Sequence, residues 1–423
     1  REDRKKSSLS LDMLLFYEIG GSGMECKDVE QAAARLQGQI HNVKVTSSRT
    51  FSEMSNCQLF LKCENRQKTG SFKVRGAFNK LAKLKEEGKT CEVIASSAGN
   101  HAQGVSYAAS KLGMHATIVM PKSTPIAKVL ATKGYGADVV LAGDNYDECY
   151  QEALRLQEEK GATFIHPFDD EDVIAGQGTI AYEICHDLPN VDMIVVPAGG
   201  GGLLSGISFY AKQINPRIKI VGVQAEGANA IVQSFQKQKH CSTKYVNTIA
   251  DGIAVMNPGK TTVQLIQENV DEMVSVSDSE IAATILLLLE REKQVVEPAG
   301  AASLAAVLNG KIDVAGKRVV CVLSGGNIDV SFIHKVVEKG LVSRGRNMKF
   351  KTLMLDVPGA LEHFTHILCE QNANIIEIQY DRIQADLNLN ETILHLAVEV
   401  SSKEHGEALI KVLKEKGYEI TME

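Results

Sequence analysis

Met193-Ile-Val-Val196-Pro-Ala-Gly199-Gly200-Gly201-Gly202-Leu203 is the stretch whose reading decides the fold. Its first residues are apolar at every position, as in a strand covered on both faces. Leu203 to Ile214 then repeats with the period of an amphipathic helix. Four glycines join the two. Without Cβ atoms they can turn their N–H groups inward, and the helix start adds partial positive charge, so the loop suits a phosphate. A flexible linker is the plain alternative, but a linker does not interrupt a strand–helix pair so tightly. The spacing is not the G-x-G-x-x-G of dinucleotide folds, which disfavours a nicotinamide site. Gly259-Lys260-Thr261 invites a nucleotide-loop reading, yet six residues separate Gly259 from Gly252 where that motif needs four.

Outward from this stretch, β-branched runs alternate with helical patterns. Strands are expected at Val93–Ala95, Ala116–Met120, Val139–Leu141, Ile218–Val223 and Val319–Leu323. Helices are expected at Lys73–Lys85, His101–Leu112, Tyr146–Glu159 and Asp278–Arg291. The alternation implies an α/β fold with open, twisted parallel sheets, whose ligands sit at the carboxyl ends of strands. Three more loops stand at such ends. Ser96-Ser97-Ala98-Gly99-Asn100-His101 offers N–H groups and hydroxyls suited to a carboxylate, although Ser and Asn are also ordinary helix caps. Thr69-Gly70-Ser71-Phe72-Lys73 puts a lysine at a helix start, where the dipole disfavours a cation and can lower its pKa. Cys321-Val-Leu-Ser324-Gly325-Gly326-Asn327 ends a strand in a hydroxyl and two glycines, with a simple turn as the alternative.

Composition narrows the class. The 423 residues carry 46 Lys+Arg against 52 Asp+Glu, a net charge of −6, so no nucleic-acid partner is expected. Hydrophobic residues at 44% and charged residues at 23% fit a folded chain of two or three domains. The longest aliphatic run, Ile285–Leu289, is far short of the roughly 20 residues of a membrane helix. Nine cysteines without a CxxC pair fit free thiols of the reducing cytoplasm better than a disulfide framework.

The two ends differ from the body. Residues 1–23 combine a charge cluster, an apolar segment and Gly20-Gly21-Ser22-Gly23 directly before Met24, which reads as an appended peptide and linker. Leu11-Asp12-Met13-Leu14-Leu15 has a spacing that could dock in a protein groove. At the other end, strand, helix, strand, strand, helix and strand are expected from Lys351 to Met422, the ferredoxin-like order. Gly340 is expected to end the preceding helix, with Leu341–Lys349 as linker. Asp356-Val-Pro-Gly359-Ala-Leu361 resembles the ligand-binding turn of ACT domains, modules that sense amino acids.

Taken together, Ser71-Phe72-Lys73-Val-Arg-Gly76, Ser97-Ala98-Gly99-Asn100-His101, Gly199–Gly202 and Ser324-Gly325-Gly326-Asn327 resemble the fold-type II pyridoxal-phosphate enzymes, and within them the threonine dehydratases (threonine ammonia-lyases). The likeness spans about residues 24–423. It implies a large cofactor domain at 24–83 and 170–345, related to the tryptophan synthase β fold, a small catalytic domain at 84–169, and an α+β ACT unit at 346–423. By resemblance, pyridoxal 5′-phosphate would be held by Lys73 as a Schiff base, with Phe72 beside the ring. Gly199, Gly200, Gly201, Gly202 and Leu203 would bind its phosphate, Asn100 its phenolic oxygen, and Ser324 would face the ring nitrogen. Ser97, Ala98, Asn100 and His101 would receive the substrate carboxylate. The implied activity is β-elimination of L-threonine, and of L-serine, to a 2-oxo acid and ammonia. Asp356, Gly359, Leu361 and Asn374 would meet an amino-acid effector, isoleucine or valine as in biosynthetic relatives, in a homodimer or homotetramer.

Two departures matter. Related serine racemases carry a serine at the position of Ala98 and use it on the far face of the substrate, so racemisation is disfavoured here. Relatives hold a cation through positions matching Glu226, Ala230 and Val232. Val232 offers no side-chain oxygen, which leaves a monovalent cation held by carbonyls, or an ordinary carboxylate, as the readings of Glu226. A serine-specific dehydratase, a racemase and a weakly catalytic amino-acid sensor remain the alternatives.

Overall fold

The computed structural model describes residues 23–89, 92–383 and 387–423. The appended peptide expected at the start, with its groove-docking pattern, lies outside them apart from Gly23. The strands are, in chain order, β1 (Val45–Ser47), β2 (Gln58–Cys63), β3 (Glu92–Ser96), β4 (His115–Met120), β5 (Asp138–Leu141), β6 (Thr163–Phe164), β7 (Met193–Pro197), β8 (Lys219–Ala225), β9 (Glu272–Val276), β10 (Arg318–Leu323), β11 (Asn347–Leu355), β12 (Asn374–Asp381), β13 (Glu391–Glu399) and β14 (Ile420–Met422). They form a six-stranded sheet ordered β1-β2-β10-β7-β8-β9 and two four-stranded sheets, β5-β4-β3-β6 and β12-β13-β11-β14. The six-stranded sheet is parallel except for its edge strand β1, and the β3–β6 sheet is parallel throughout.

Burial explains the parallel sheets. All five residues of β7 are buried, and so are the last five of β10. Strands of this kind need helices on both faces. Helices Glu171–Asp187 and Gly202–Ile214 supply one such cover, with Ile174, Ile180, Leu204 and Ile207 in one apolar cluster with Ile194, Val196 and Val320. Caps set the helix starts. The Asp170 carboxylate accepts from the N–H groups of Asp172 and Val173, and Asn145 accepts from Glu148 N–H.

The chain divides into two compact units. One runs from the first described residues to Val276 and takes in Val296–Asn327; the other joins Ser277–Val295 to Ile328–Glu423. The division therefore passes through the stretch 170–345 expected as one domain. In the second unit β11–β14 and helices Ala360–Glu370 and Lys403–Glu415 follow the ferredoxin-like order, around a core of Phe350, Phe364, Leu394, Leu396 and Leu409.

Two expectations are corrected here. Gly340 does not end its helix, which runs from Val330 to Ser343. A Cβ at Gly340 would lie 2.8 Å from the Ala282 carbonyl oxygen, so the glycine serves a close helix–helix approach. The nine-residue linker is absent as well, because β11 begins at Asn347. The helix expected over Asp278–Arg291 keeps its α form to Leu287 and then widens to a π turn, Leu288–Glu292, stopped at Lys293 with φ +55°.

Candidate active site

Lys73 opens the helix Lys73–Glu86 that follows β2. The approach is tightly held. Thr69 and Gly70 adopt positive φ, +62° and +72°, and a side chain at Gly70 would strike the Asn327 amide. Ser71 pairs with Gly325 in an isolated bridge, Phe72 N–H donates to the Ser324 carbonyl at 3.0 Å, and Gly326 N–H donates to the Gly70 carbonyl at 2.9 Å. The loop after β10 is thus fastened to the loop before Lys73. The Lys73 amine is buried, donates to the Pro167 carbonyl at 2.8 Å, and lies 5.3 Å from the centre of the Phe72 ring. Burial depresses its pKa to about 8, against the pull of the Glu297 carboxylate. Among the described residues it forms no ion pair.

The four glycines join β7 to helix Gly202–Ile214 and are gripped from outside. A Cβ on Gly199 would lie 2.9 Å from Ile253 Cα, one on Gly201 2.6 Å from Thr262 Cβ, and one on Gly202 2.9 Å from the Phe168 carbonyl; at Gly200 it would overlap the Phe168 ring. Gly201 has φ +102°, which only glycine adopts without strain. Thr262 Oγ1 and Gly259 N–H both donate to the Gly200 carbonyl, at 2.7 and 3.2 Å. The Gly201 carbonyl accepts from Ser205 N–H at 2.8 Å. Among the described residues the N–H groups of Gly199, Gly200, Gly201, Gly202 and Leu203 have no protein acceptor. Five successive N–H groups left without an acceptor at a helix start suit an anion.

The third loop leaves β3 and opens helix Asn100–Leu112. Asn100 Nδ2 donates to both Glu297 carboxylate oxygens, at 2.8 and 3.1 Å, and its Oδ1 accepts from Asn327 Nδ2 at 2.8 Å. Asn327 Nδ2 also donates to the Thr69 carbonyl at 2.6 Å, so one hydrogen-bonded chain ties the loops after β2, β3 and β10. Burial raises the Glu297 pKa, opposed by the Asn100 hydrogen bond. Ser97 Oγ accepts from Gly99 N–H at 3.2 Å, and Ala98 is half-buried beside it. His101 turns inward. Its Nε2 meets the Ile165 carbonyl at 2.9 Å, and burial, with the nearby Lys73 amine, lowers its pKa to about 3. The ring is neutral at ordinary pH, so any anion at this helix start meets the backbone N–H groups and not a histidine cation. Ser324 directly follows β10 and is buried.

The arrangement can be tested against the cofactor that the motifs imply. A buried amine of lowered pKa stands beside loops that carry a five-amide anion cradle, and Ser71 Oγ and Ser96 Oγ, at the roots of two loops, are buried without a partner. These features fit a phosphorylated aldehyde cofactor: an amine to bind the carbonyl, a cradle for the phosphate, and buried polar atoms left without a protein partner. Fold and site thus define a class, the enzymes that carry such a cofactor on a lysine at the carboxyl edge of an open α/β sheet.

Comparison with known proteins gives the particular family. The profile described as pyridoxal-phosphate dependent enzyme matches residues 36–325, and the chain belongs to this family. It is 46% identical over 394 residues to the L-threonine ammonia-lyase of Thermotoga maritima, covering 93% of this chain and 98% of that one. Its structure is similar to the processed form of threonine deaminase isoform 2 from Solanum lycopersicum, with a TM-score of 0.70 and 35% identity over 76% of this chain and 90% of that one. It is likewise similar to maize serine racemase, with a TM-score of 0.71 and 36% identity over 75% and 98%.

The other candidate positions lie elsewhere. Glu226 is exposed just after β8, with its N–H on the Val276 carbonyl. Val232 N–H is taken by the buried Gln224 side chain at 2.9 Å, and no cluster of three metal-ligating side chains occurs among the described residues. In the second unit Asp356 forms an ion pair with Arg382 at 2.8 Å, and Gly359, at φ +88°, opens helix Ala360–Glu370, which carries Leu361. Asn374 pairs in register with Glu399, which itself pairs with Asn347. Asn374 therefore stands at the start of β11, whereas Asp356 follows its end. Sequence reasoning missed Glu297, Pro167, Phe168 and Thr262. Glu297 left a trace, a carboxylate set between Val295-Val296 and Pro298-Ala299-Gly300 in an otherwise apolar run.

Proposed function

We propose that this chain is a threonine ammonia-lyase. It would convert L-threonine to 2-oxobutanoate and ammonia, and L-serine to pyruvate and ammonia, with pyridoxal 5′-phosphate on Lys73. The observation that carries the reading is the buried Lys73 amine beside the glycine cradle, in a chain matched almost end to end by an L-threonine ammonia-lyase. The cofactor, when bound, withdraws electrons from the substrate Cα. Lys73 would hold it and would take the Cα proton, and its pKa of about 8 leaves a useful fraction of free amine near neutrality. The amides of Gly199–Leu203 would bind the phosphate, Asn100 would orient the phenolic oxygen, and Ser324 would face the ring nitrogen without the charge of a carboxylate. The helix start at Ser97, Ala98, Asn100 and His101 receives the substrate carboxylate through N–H groups. Ala98 has no proton to donate on the far face, which favours elimination over racemisation.

The same reading assigns the ferredoxin-like part of the second unit to control, as an ACT module. Asp356, Gly359 and Leu361 would meet an amino-acid effector between paired copies, in a homodimer or homotetramer, and Asn374, at the far end of the sheet, would reach that ligand only from the second copy. Free thiols agree with a cytoplasmic enzyme, and Glu226 with a monovalent cation held by backbone carbonyls. The decisive assay measures 2-oxo acid released from threonine and serine. Lys73→Ala should abolish it and the visible cofactor absorbance together. Normal turnover by purified Lys73→Ala protein, or no 2-oxo acid from either substrate with the native protein, would sink the reading.

A further inference from the structure

Beneath Lys73 lies a charge cluster that the proposed chemistry does not use. Arg75 is buried entirely, two residues along the same helix turn. Its Nε donates to Glu64 Oε2 and one Nη2 hydrogen to Glu64 Oε1, both at 2.8 Å. The other Nη2 hydrogen goes to Glu183 Oε2 at 2.8 Å, and Nη1 donates to Glu183 Oε1 at 2.7 Å and Thr179 Oγ1 at 3.0 Å. A guanidinium has five N–H groups, and each has an acceptor here. Lys62, also buried, pairs with Glu183 and completes a neutral set of two cations and two carboxylates. Glu64 follows β2, and Thr179 and Glu183 lie on helix Glu171–Asp187.

Backbone ties hold this helix start from the site side, and Gly76 N–H donates to Gln177 Oε1 at 3.2 Å, but apart from the Arg75 fork no ion pair among the described residues anchors the first turn. Phe72, its cap residue, has no side chain that can cap, and the preceding Thr69-Gly70 runs at positive φ. On the site side the ties are Phe72 N–H on the Ser324 carbonyl, the Ser71–Gly325 bridge and Gly326 N–H on the Gly70 carbonyl. Opposite it, Gly76 lies against helix Glu171–Asp187, where Gly176 approaches so closely that a Cβ there would sit 2.6 Å from Gly76 Cα.

We propose that Arg75 is a positioning residue for Lys73: its fork locks the first helical turn to the end of β2 and to helix Glu171–Asp187, and so sets where the Lys73 amine is presented. This rests on Lys73 being the residue that holds the cofactor. A lysine at position 75 keeps the charge but offers three donors without the planar fork, so the turn can rotate while the carboxylates stay compensated. A misplacement of about 1 Å at a reacting group can cost about a hundredfold in rate.

The test uses holoenzyme of the native chain, Arg75→Lys and Thr179→Val. Circular dichroism reads the fold. Borohydride reduction followed by peptide mass spectrometry reads the fraction of residue 73 carrying the cofactor, and steady-state assays separate kcat from KM. Arg75→Lys should stay folded, lose most of the captured adduct at residue 73 and fall about a hundredfold in kcat, with KM little changed. Thr179→Val, which removes one of the acceptors, should show a smaller loss of the same kind. A folded Arg75→Lys protein with full capture and native kcat would overturn the proposal, as would losses merely proportional to the unfolded fraction. If Arg75→Lys does not fold, Thr179→Val decides, and unchanged capture and kcat in that variant overturn it. A native protein that shows no adduct at residue 73 fails before any variant is compared, and that result removes the reading of Lys73 itself.

Discussion

A primary amine sealed inside a protein costs free energy while it carries its proton, so burial makes Lys73 give that proton up more readily. The unfolded chain keeps a proton on residue 73 up to the ordinary lysine pKa of 10.5, whereas the fold gives it up at about 8. Stability of the cofactor-free protein therefore rises with pH between these values, and below them the full penalty applies, about 3 kcal/mol. Cofactor-free Lys73→Met protein should unfold at a higher temperature than the native chain at pH 7, and the gap should close toward pH 10.5. Equal unfolding temperatures across that range would show the amine to be better solvated than its burial indicates. Ala98 offers a second residue-scale check. Ala98→Ser restores a hydroxyl at the helix start and should raise D-serine formation from a very low background. Chiral chromatography showing substantial D-serine from the native chain would contradict an elimination-only reading.

At the scale of elements, the close helix crossings depend on glycines facing backbone. At Gly176 an added Cβ would meet Gly76 Cα at 2.6 Å and the Arg75 carbonyl at 2.7 Å, and neither is a side chain that can swing aside. Gly176→Ala should cost about 1–3 kcal/mol and displace the first turn of the Lys73 helix. Gly134 makes the control. It lies in a helix with open space around its Cβ position and no positive φ, so Gly134→Ala should be neutral or stabilise by up to about 1 kcal/mol. Thermal unfolding of the two variants checks the contrast, and equal effects would mean that helix propensity alone decides. Element positions were largely legible in the sequence, because buried β-branched runs such as Met193–Val196 and caps such as Asn145 act locally. Gly340 was misread because a glycine late in a helical pattern looks the same whether it stops the helix or admits a neighbour. Only the approach of Ala282 separates the two.

For the whole molecule, the second unit is not simply the end of the chain. Helix Asp278–Leu287, between β9 and β10, belongs with helix Val330–Ser343 and the β11–β14 sheet. Its Ala282 and Leu286, both buried, meet that later helix at Gly340, and Glu290 pairs with Arg346. A chain ended at Gly345 keeps the helix pair and should remain folded and turn over threonine while losing any response to isoleucine or valine. One ended at Asn327 uncovers Ala282 and Leu286 and should aggregate. Size-exclusion chromatography and calorimetric titration of both truncations check this. A well-behaved chain ended at Asn327 would show that the pair adds nothing to solubility.

The sequence by itself determined the α/β class, the strand–glycine–helix unit at 193–214 and the ferredoxin-like order after residue 346, since each follows from local periodicity and from residues that restrict their own backbone. It also marked the loops at 72–73, 97–101, 199–203 and 324–327 as chemistry-bearing, because small residues at strand ends have few structural uses. Only the tertiary structure decided what those loops meet: Pro167 on the Lys73 amine, Glu297 on Asn100, Phe168 and Thr262 around the glycines, Glu64 and Glu183 on Arg75, and the inward turn of His101. Asn100 and Glu297 are 197 residues apart in sequence, and Arg75 and Glu183 are 108 apart. Local pattern carries no signal across such distances, and sheet order and helix crossing angle bring these partners within reach. The shift of the Lys73 pKa belongs to the same level, because it comes from burial, which the fold alone supplies.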